Sequence, residues 1–149
     1  MIMSLEDWLK EGRLKGHKTS AREVAELLKL VDRDLADAAI KELSADRRFA
    51  TAYNAALQLA TIALHAAGYR TAKSGHHWIT LKAIPEVMGP EFRGRADYFN
   101  TCRSTRHVTD YDRAGVVSAA EAEEILKEAT AFKSDVIDWL KANHPHLLR

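Results

Sequence analysis

Arg103, Arg106, His107, Asp110 and Tyr111 stand at i, i+3, i+4, i+7 and i+8 within the stretch Tyr98 to Asp112. On a helix that spacing gathers two guanidiniums, an imidazole, a carboxylate and a phenol on one face. The arginines can grip a phosphate through paired N–H donors, the histidine can move a proton near neutral pH, and the aspartate can orient either partner. The same spacing also suits a plain solvated face, knitted by Arg103 to His107 and Arg106 to Asp110 contacts worth about 0.2–0.5 kcal/mol each. On residue types alone both readings stand.

Other reactive residues carry weaker signals. His76 and His77 invite a metal, yet adjacent helical residues point about 100° apart and no carboxylate or cysteine stands at ligand spacing from them. The residues therefore give no metal site and no cofactor, and a helix-start or core-edge role suits one histidine of the pair. His144 and His146 fall in a C-terminal tail expected to be frayed and solvated. Cys102, one turn from Phe99, reads as a small buried hydrophobe. Arg13, Lys15, His17 and Lys18 form a short basic loop able to touch phosphate, though so short a run also serves solubility alone. Neither a phosphate-cradling glycine loop, nor a Ser-His-Asp order, nor a zinc-binding HExxH is present.

The elements that must position these groups read as helices. Leu5, Trp8 and Leu9 after Ser4 suggest a short helix ended by Gly12. Ser20 and Glu23 have capping-box spacing, and the stripe Val24, Leu27, Leu28, Val31, Leu35 extends the second helix toward Leu43. An alanine-rich third helix runs from about Asp46 to Gly68, followed by a polar turn from Tyr69 to Gly75. A pattern from His76 to Ile84 stops at Pro85, and Pro90 opens a long helix from about Glu91 to Asp112. Ser118 and Glu121 form another capping box before the stripe Ile125, Ala129, Phe132, Val136, Trp139, Leu140. The expected fold is all-α: an up-and-down antiparallel bundle of four main helices with additional short helices and no sheet. One domain over 1–149 is expected, with its core at about 20–142 and a short helix plus basic loop in 1–19.

Composition narrows the function classes. With 22 basic and 21 acidic side chains the net charge is +1, too small for a global field that would hold nucleic acid, so an anion site must be local. One cysteine leaves no intramolecular disulfide and points to a reducing compartment. The charged N-terminus does not read as a signal peptide, and no apolar run reaches membrane-spanning length. A cytoplasmic protein with no membrane partner is expected.

The polar face on the penultimate long helix, the Tyr111-Asp112 that closes it, the capped final helix, and the upstream Ala-Tyr53-Asn54-Ala-Ala and Ala-Gly68-Tyr69-Arg70 together resemble HEPN domains over about Ser20 to Leu140. That resemblance implies a small helical bundle that dimerises. It also implies either a metal-independent ribonuclease, whose Arg-x4-6-His motifs meet across the dimer cleft, or a module that has lost catalysis. Active members are often toxins held by a nucleotidyltransferase-like antitoxin. Here the motif is not intact. From Arg103 the histidine slots hold Val108, Thr109 and Asp110; from Arg106 they hold Tyr111, Asp112 and Arg113. The resemblance then favours a catalytically silent module binding RNA, nucleotide or a partner protein through the face of Arg103, Arg106, His107, Asp110 and Tyr111, with Arg106, Asp110 and Tyr111 as its binding residues. The alternative is a ribonuclease toxin using Arg103 and His107 as a shifted catalytic pair.

Overall fold

The computed structural model describes residues 4–73, 76–111 and 115–149, the side chains of 107–111 excepted. In chain order these form α1 (Leu5–Lys10), β1 (Leu14–Gly16), α2 (Ala21–Ala38), α3 (Ala45–Ala66), β2 (Tyr69–Thr71), α4 (His77–Met88), α5 (Arg93–Tyr111) and α6 (Ala119–Asn143). Short 3-10 turns cover Pro90–Phe92 and Pro145–Leu148. Ser4, Ser20, Ser44 and Ser118 each accept from the amide three residues on, so α1, α2, α3 and α6 all start on a serine cap. In α1 and α6 the third residue's carboxylate returns the bond, completing the box. At Ser20 only half of the expected box forms, because the Glu23 carboxylate is taken instead by His17, Thr19 and His65.

The bundle is built around α3, where half of the 22 residues are buried. Ala52, Ala55, Ala56, Ala60 and Ala63 present almost no side chain, so neighbouring backbones come close while Phe49, Tyr53, Leu59 and Ile62 fill the remaining space. Packed against it are Val24, Val31 and Ala38 of α2 and Ala122, Ile125, Ala129, Phe132, Val136 and Leu140 of α6. Glu23 at the start of α2 meets His65 at the end of α3, and Arg48 at the start of α3 meets both Ala38 and Glu123. α2 therefore runs antiparallel to α3, and α6 parallel to it. Arg95 near the start of α5 bridges to Glu128 at 2.6 Å and Asp135 at 2.8 Å, tying α5 to α6. The expected all-α bundle is what the chain forms.

Its details depart from the sequence reading in several places. α2 ends at Ala38, not Leu43, because Arg48 Nε donates to the Ala38 carbonyl at 2.8 Å, the group a continuing helix needs for its own next turn. Pro85 lies inside α4, where burial of Ile84, Pro85 and Met88 offsets the one bond its missing N–H removes. Pro90 opens a 3-10 turn before α5 instead of the helix itself. The expectation of no sheet is also corrected. β1 and β2 pair antiparallel in the register Leu14↔Thr71, Lys15↔Arg70, Gly16↔Tyr69, three-residue pieces too short to show alternation in sequence. Gly12 and Gly68, both at positive φ, let the chain leave α1 and α3 directly into these strands. Leu14 is buried there with Trp8, Leu64, Ile79 and Ala83 in a second apolar cluster. The C-terminal segment is likewise tied down, with Leu147 buried in the main core.

Arg48 is 5% exposed and serves α2, α3 and α6 at once. Arg48→Ala should lower stability by about 2–3 kcal/mol, read as a shift of the urea midpoint at unchanged m value, because it strips the Ala38 carbonyl of its buried donor. Glu123→Gln should cost far less, since that carboxylate is half exposed and water can replace its partner.

Candidate anion-binding site

Phe99 and Cys102 draw α5 into the bundle, Phe99 against Phe132 of α6 with ring centroids 5.5 Å apart. Arg103 and Arg106 follow on adjoining positions of the same helix and are half-buried. The Arg106 guanidinium carbon sits over the ring of Tyr53, 5.4 Å from its centroid, in cation–π range. Tyr53 itself is wholly enclosed, and its ring lies 6.2 Å from that of His77, the first residue of α4. Arg103 is steadied by its neighbour one turn back, its Nε donating to Asn100 Oδ1 at 3.2 Å. Residues from α3, α4 and α5 thus meet around two cations.

The electrostatics follow from this packing. Burial pushes the Tyr53 hydroxyl up to about 12 against the opposing pull of Arg106 and Arg103, so the phenol keeps its proton at any working pH. Its oxygen is buried and has no hydrogen-bond partner among the described residues. Burial, and then the charges of Arg106 and Arg103, lower the proton affinity of His77. His77 is accordingly neutral near pH 7, and the charge of the site is carried by the arginines.

Of the sequence-derived candidates, Arg103 and Arg106 are brought together in this way. The side chains of His107, Asp110 and Tyr111 lie outside the described residues. The metal reading of His76 and His77 gains nothing, since neither joins two further histidine, cysteine or carboxylate ligands among the described residues. His77 is instead a member of the arginine site that sequence reasoning missed, as is Tyr53. Only the Ala-Tyr53-Asn54 motif drew attention to the tyrosine, and no local pattern tells that α4 begins beside α5. Burial pushes the Cys102 thiol up to about 11, which fits its place in the core and not a nucleophile's role.

A groove of about 650 Å³ lies between α5 and α6. Glu91, Glu124, Glu128 and Asp135 line it, and its one arginine, Arg95, is already held by two of them. Its charge opposes a phosphate. A third cluster, His17, Glu23 and His65, gathers some three turns further along α3.

The fold is an all-α bundle whose penultimate long helix, α5, carries Arg103 and Arg106. Residues 38–137 match the model of the SAV_6107-like HEPN family. The match covers most of the chain, and the chain belongs to the HEPN family. Comparison with curated proteins and with solved structures gave no match.

The site's coupling is measurable on His77. Its proton affinity in the folded chain should titrate below 6.5 by histidine-ring NMR, and Arg106→Ala should raise it by removing a neighbouring cation. Because the unfolded chain binds this proton more readily, the stability linked to His77 is present above about pH 6.5 and is lost as pH falls through the folded value.

Proposed function

We propose that this HEPN chain is a catalytically silent module that binds a phosphate-bearing ligand, RNA or nucleotide, through the α5 face carrying Arg103 and Arg106, with His107, Asp110 and Tyr111 on the same face. The observation that carries this reading is the pair of half-buried guanidiniums, Arg106 over the Tyr53 ring and both near enough to lower the proton affinity of His77. Partial burial strengthens a guanidinium–phosphate contact, since less water competes with it. The motif spacing supports a silent module, for no histidine stands in the family slot after either arginine. With almost no net charge elsewhere, affinity should rest on these few contacts and fall with salt.

Anisotropy of a labelled single-stranded RNA, with ATP as competitor, tests the reading. Arg103→Ala with Arg106→Ala should weaken binding by about tenfold or more while leaving the helical circular dichroism intact. Unchanged affinity in that double variant would remove the site.

One observation favours the second reading, a metal-independent ribonuclease toxin held by a nucleotidyltransferase-like antitoxin. His77 lies close enough to feel Arg103 and Arg106 and is neutral, as a general base must be. Incubation of RNA with the protein in EDTA separates the two: no cleavage is expected of a silent module. Cleavage that disappears in Arg103→Ala and His77→Ala would establish the enzyme instead.

A homodimer formed near α5 belongs to the same proposal. Phe99 is enclosed in the protomer's own core, so such an interface would draw on Tyr98 and the arginine face. Light scattering at micromolar concentration should give twice the chain mass, and a monomer would count against it.

A further inference from the structure

We propose that His17, Glu23 and His65 form a binding site for a divalent transition-metal cation of the zinc type. Three separate elements deliver the donors. His17 follows β1 and is fixed by its amide, which donates to the Gly68 carbonyl at 2.8 Å. Glu23 stands in the first turn of α2, and His65 in the last turn of α3. His17 Nε2 lies 2.7 Å and His65 Nδ1 2.9 Å from Glu23 Oε1, and the three donor atoms all fall within 4.8 Å of one another.

Two imidazoles and one carboxylate are a zinc-type donor set that leaves a coordination position open. Tetrahedral ligation at about 2.0–2.1 Å separates donor atoms by roughly 3.3 Å, so the two histidine distances to Glu23 Oε1, 2.7 and 2.9 Å, need to widen by about half an ångström. Side-chain torsions can supply that. The ring planes of His17 and His65 are tilted by 49°, with centroids 4.4 Å apart. The side chains are 21%, 37% and 17% exposed in chain order, enclosed enough to hold a geometry and open enough to admit an ion with its water.

Charge and surroundings agree with a cation. Burial works against ionisation of Glu23, but hydrogen bonds from His17 and Thr19 outweigh it and hold the carboxyl at about 2. An ionised Oε1 can only accept, so His17 Nε2 and His65 Nδ1 carry the protons in the metal-free chain. For a cation to enter between them each ring must first pass its proton through solvent to its other nitrogen, which frees the lone pairs of His17 Nε2 and His65 Nδ1 and leaves both imidazoles neutral. Thr19 Oγ1 donates to the same carboxylate oxygen at 2.7 Å and orients it, as an outer-shell partner does. The C-terminal end of α3, with its outward carbonyls, also favours positive charge. Arg70, exposed on β2, is the opposing cation near His65.

This site is independent of the arginine face. His65 lies about 18 Å along α3 from Tyr53 at helical rise, and His17 and Glu23 fall outside the stretch matched to the family. The full chain, stripped with chelator and dialysed, should take up one equivalent of Co²⁺ with visible ligand-field bands, and Zn²⁺ should displace it. His17→Ala and His65→Ala should each weaken uptake by about tenfold or more, while His144→Ala with His146→Ala should leave it unchanged. Should the ligand variants fail to fold, the histidine-ring NMR signals of the unaltered chain decide, because Zn²⁺ should move those of His17 and His65 first. The proposal fails if uptake never saturates, if both folded ligand variants bind as well as the parent, or if the signals of other histidines move instead.

Discussion

Close packing around α3 is the constraint on which the rest depends. A helix enclosed by α2 on one side and α6 on another has little room for long side chains, and the run of alanines from Ala52 to Ala63 meets that demand. The approach permits dense burial of Tyr53, Leu59 and Ile62 between the alanines. It also decides where polar atoms can go, since a charged group in this interior must find partners. Along α3 the polar groups accordingly appear as shared fixtures. Arg48 serves Ala38 and Glu123, while Asp46 accepts from the amides of Gly115 and Val117 at 2.5 and 3.1 Å. The start of α3 therefore fixes the end of α2 and the entry to α6 together.

The same helix links the two chemical clusters without joining them. Tyr53, in its first half, is the floor beneath Arg106, and His65, in its last turn, faces Glu23. α5 reaches the first cluster through Phe99 and Cys102, so apolar burial places the arginines. A guanidinium lying on an aromatic ring keeps its N–H edges directed sideways, which is the geometry a phosphate oxygen meets. The two guanidiniums make this a local cationic face on a chain whose net charge is only +1.

Glu23 shows how one residue can be read correctly in type and wrongly in role. Its distance from Ser20 is that of a capping box, and the Ser20 hydroxyl does accept the Glu23 amide at 3.1 Å. The carboxylate turns away because two imidazoles and a threonine hydroxyl offer it more than a single cap amide would. Those partners come from 6, 4 and 42 residues away, and no window of helical length contains all of them.

Sequence alone determined what depends on short-range periodicity. The helical class, the caps at Ser4, Ser20 and Ser118, the α6 stripe from Ile125 to Leu140 and the gathering of Arg103 and Arg106 on one helix face all follow from contacts within a few residues. Tertiary structure alone decided what depends on distant segments meeting. Arg48 ends α2 early by taking the Ala38 carbonyl, the brief β1–β2 ribbon pairs residues 14–16 with 69–71, and His77 arrives beside Arg106 from another helix. His17, Glu23 and His65 converge for the same reason. Local propensity sets which backbone a segment prefers, but loop closure and burial choose its neighbours, and the chemistry of both clusters is a property of those neighbours.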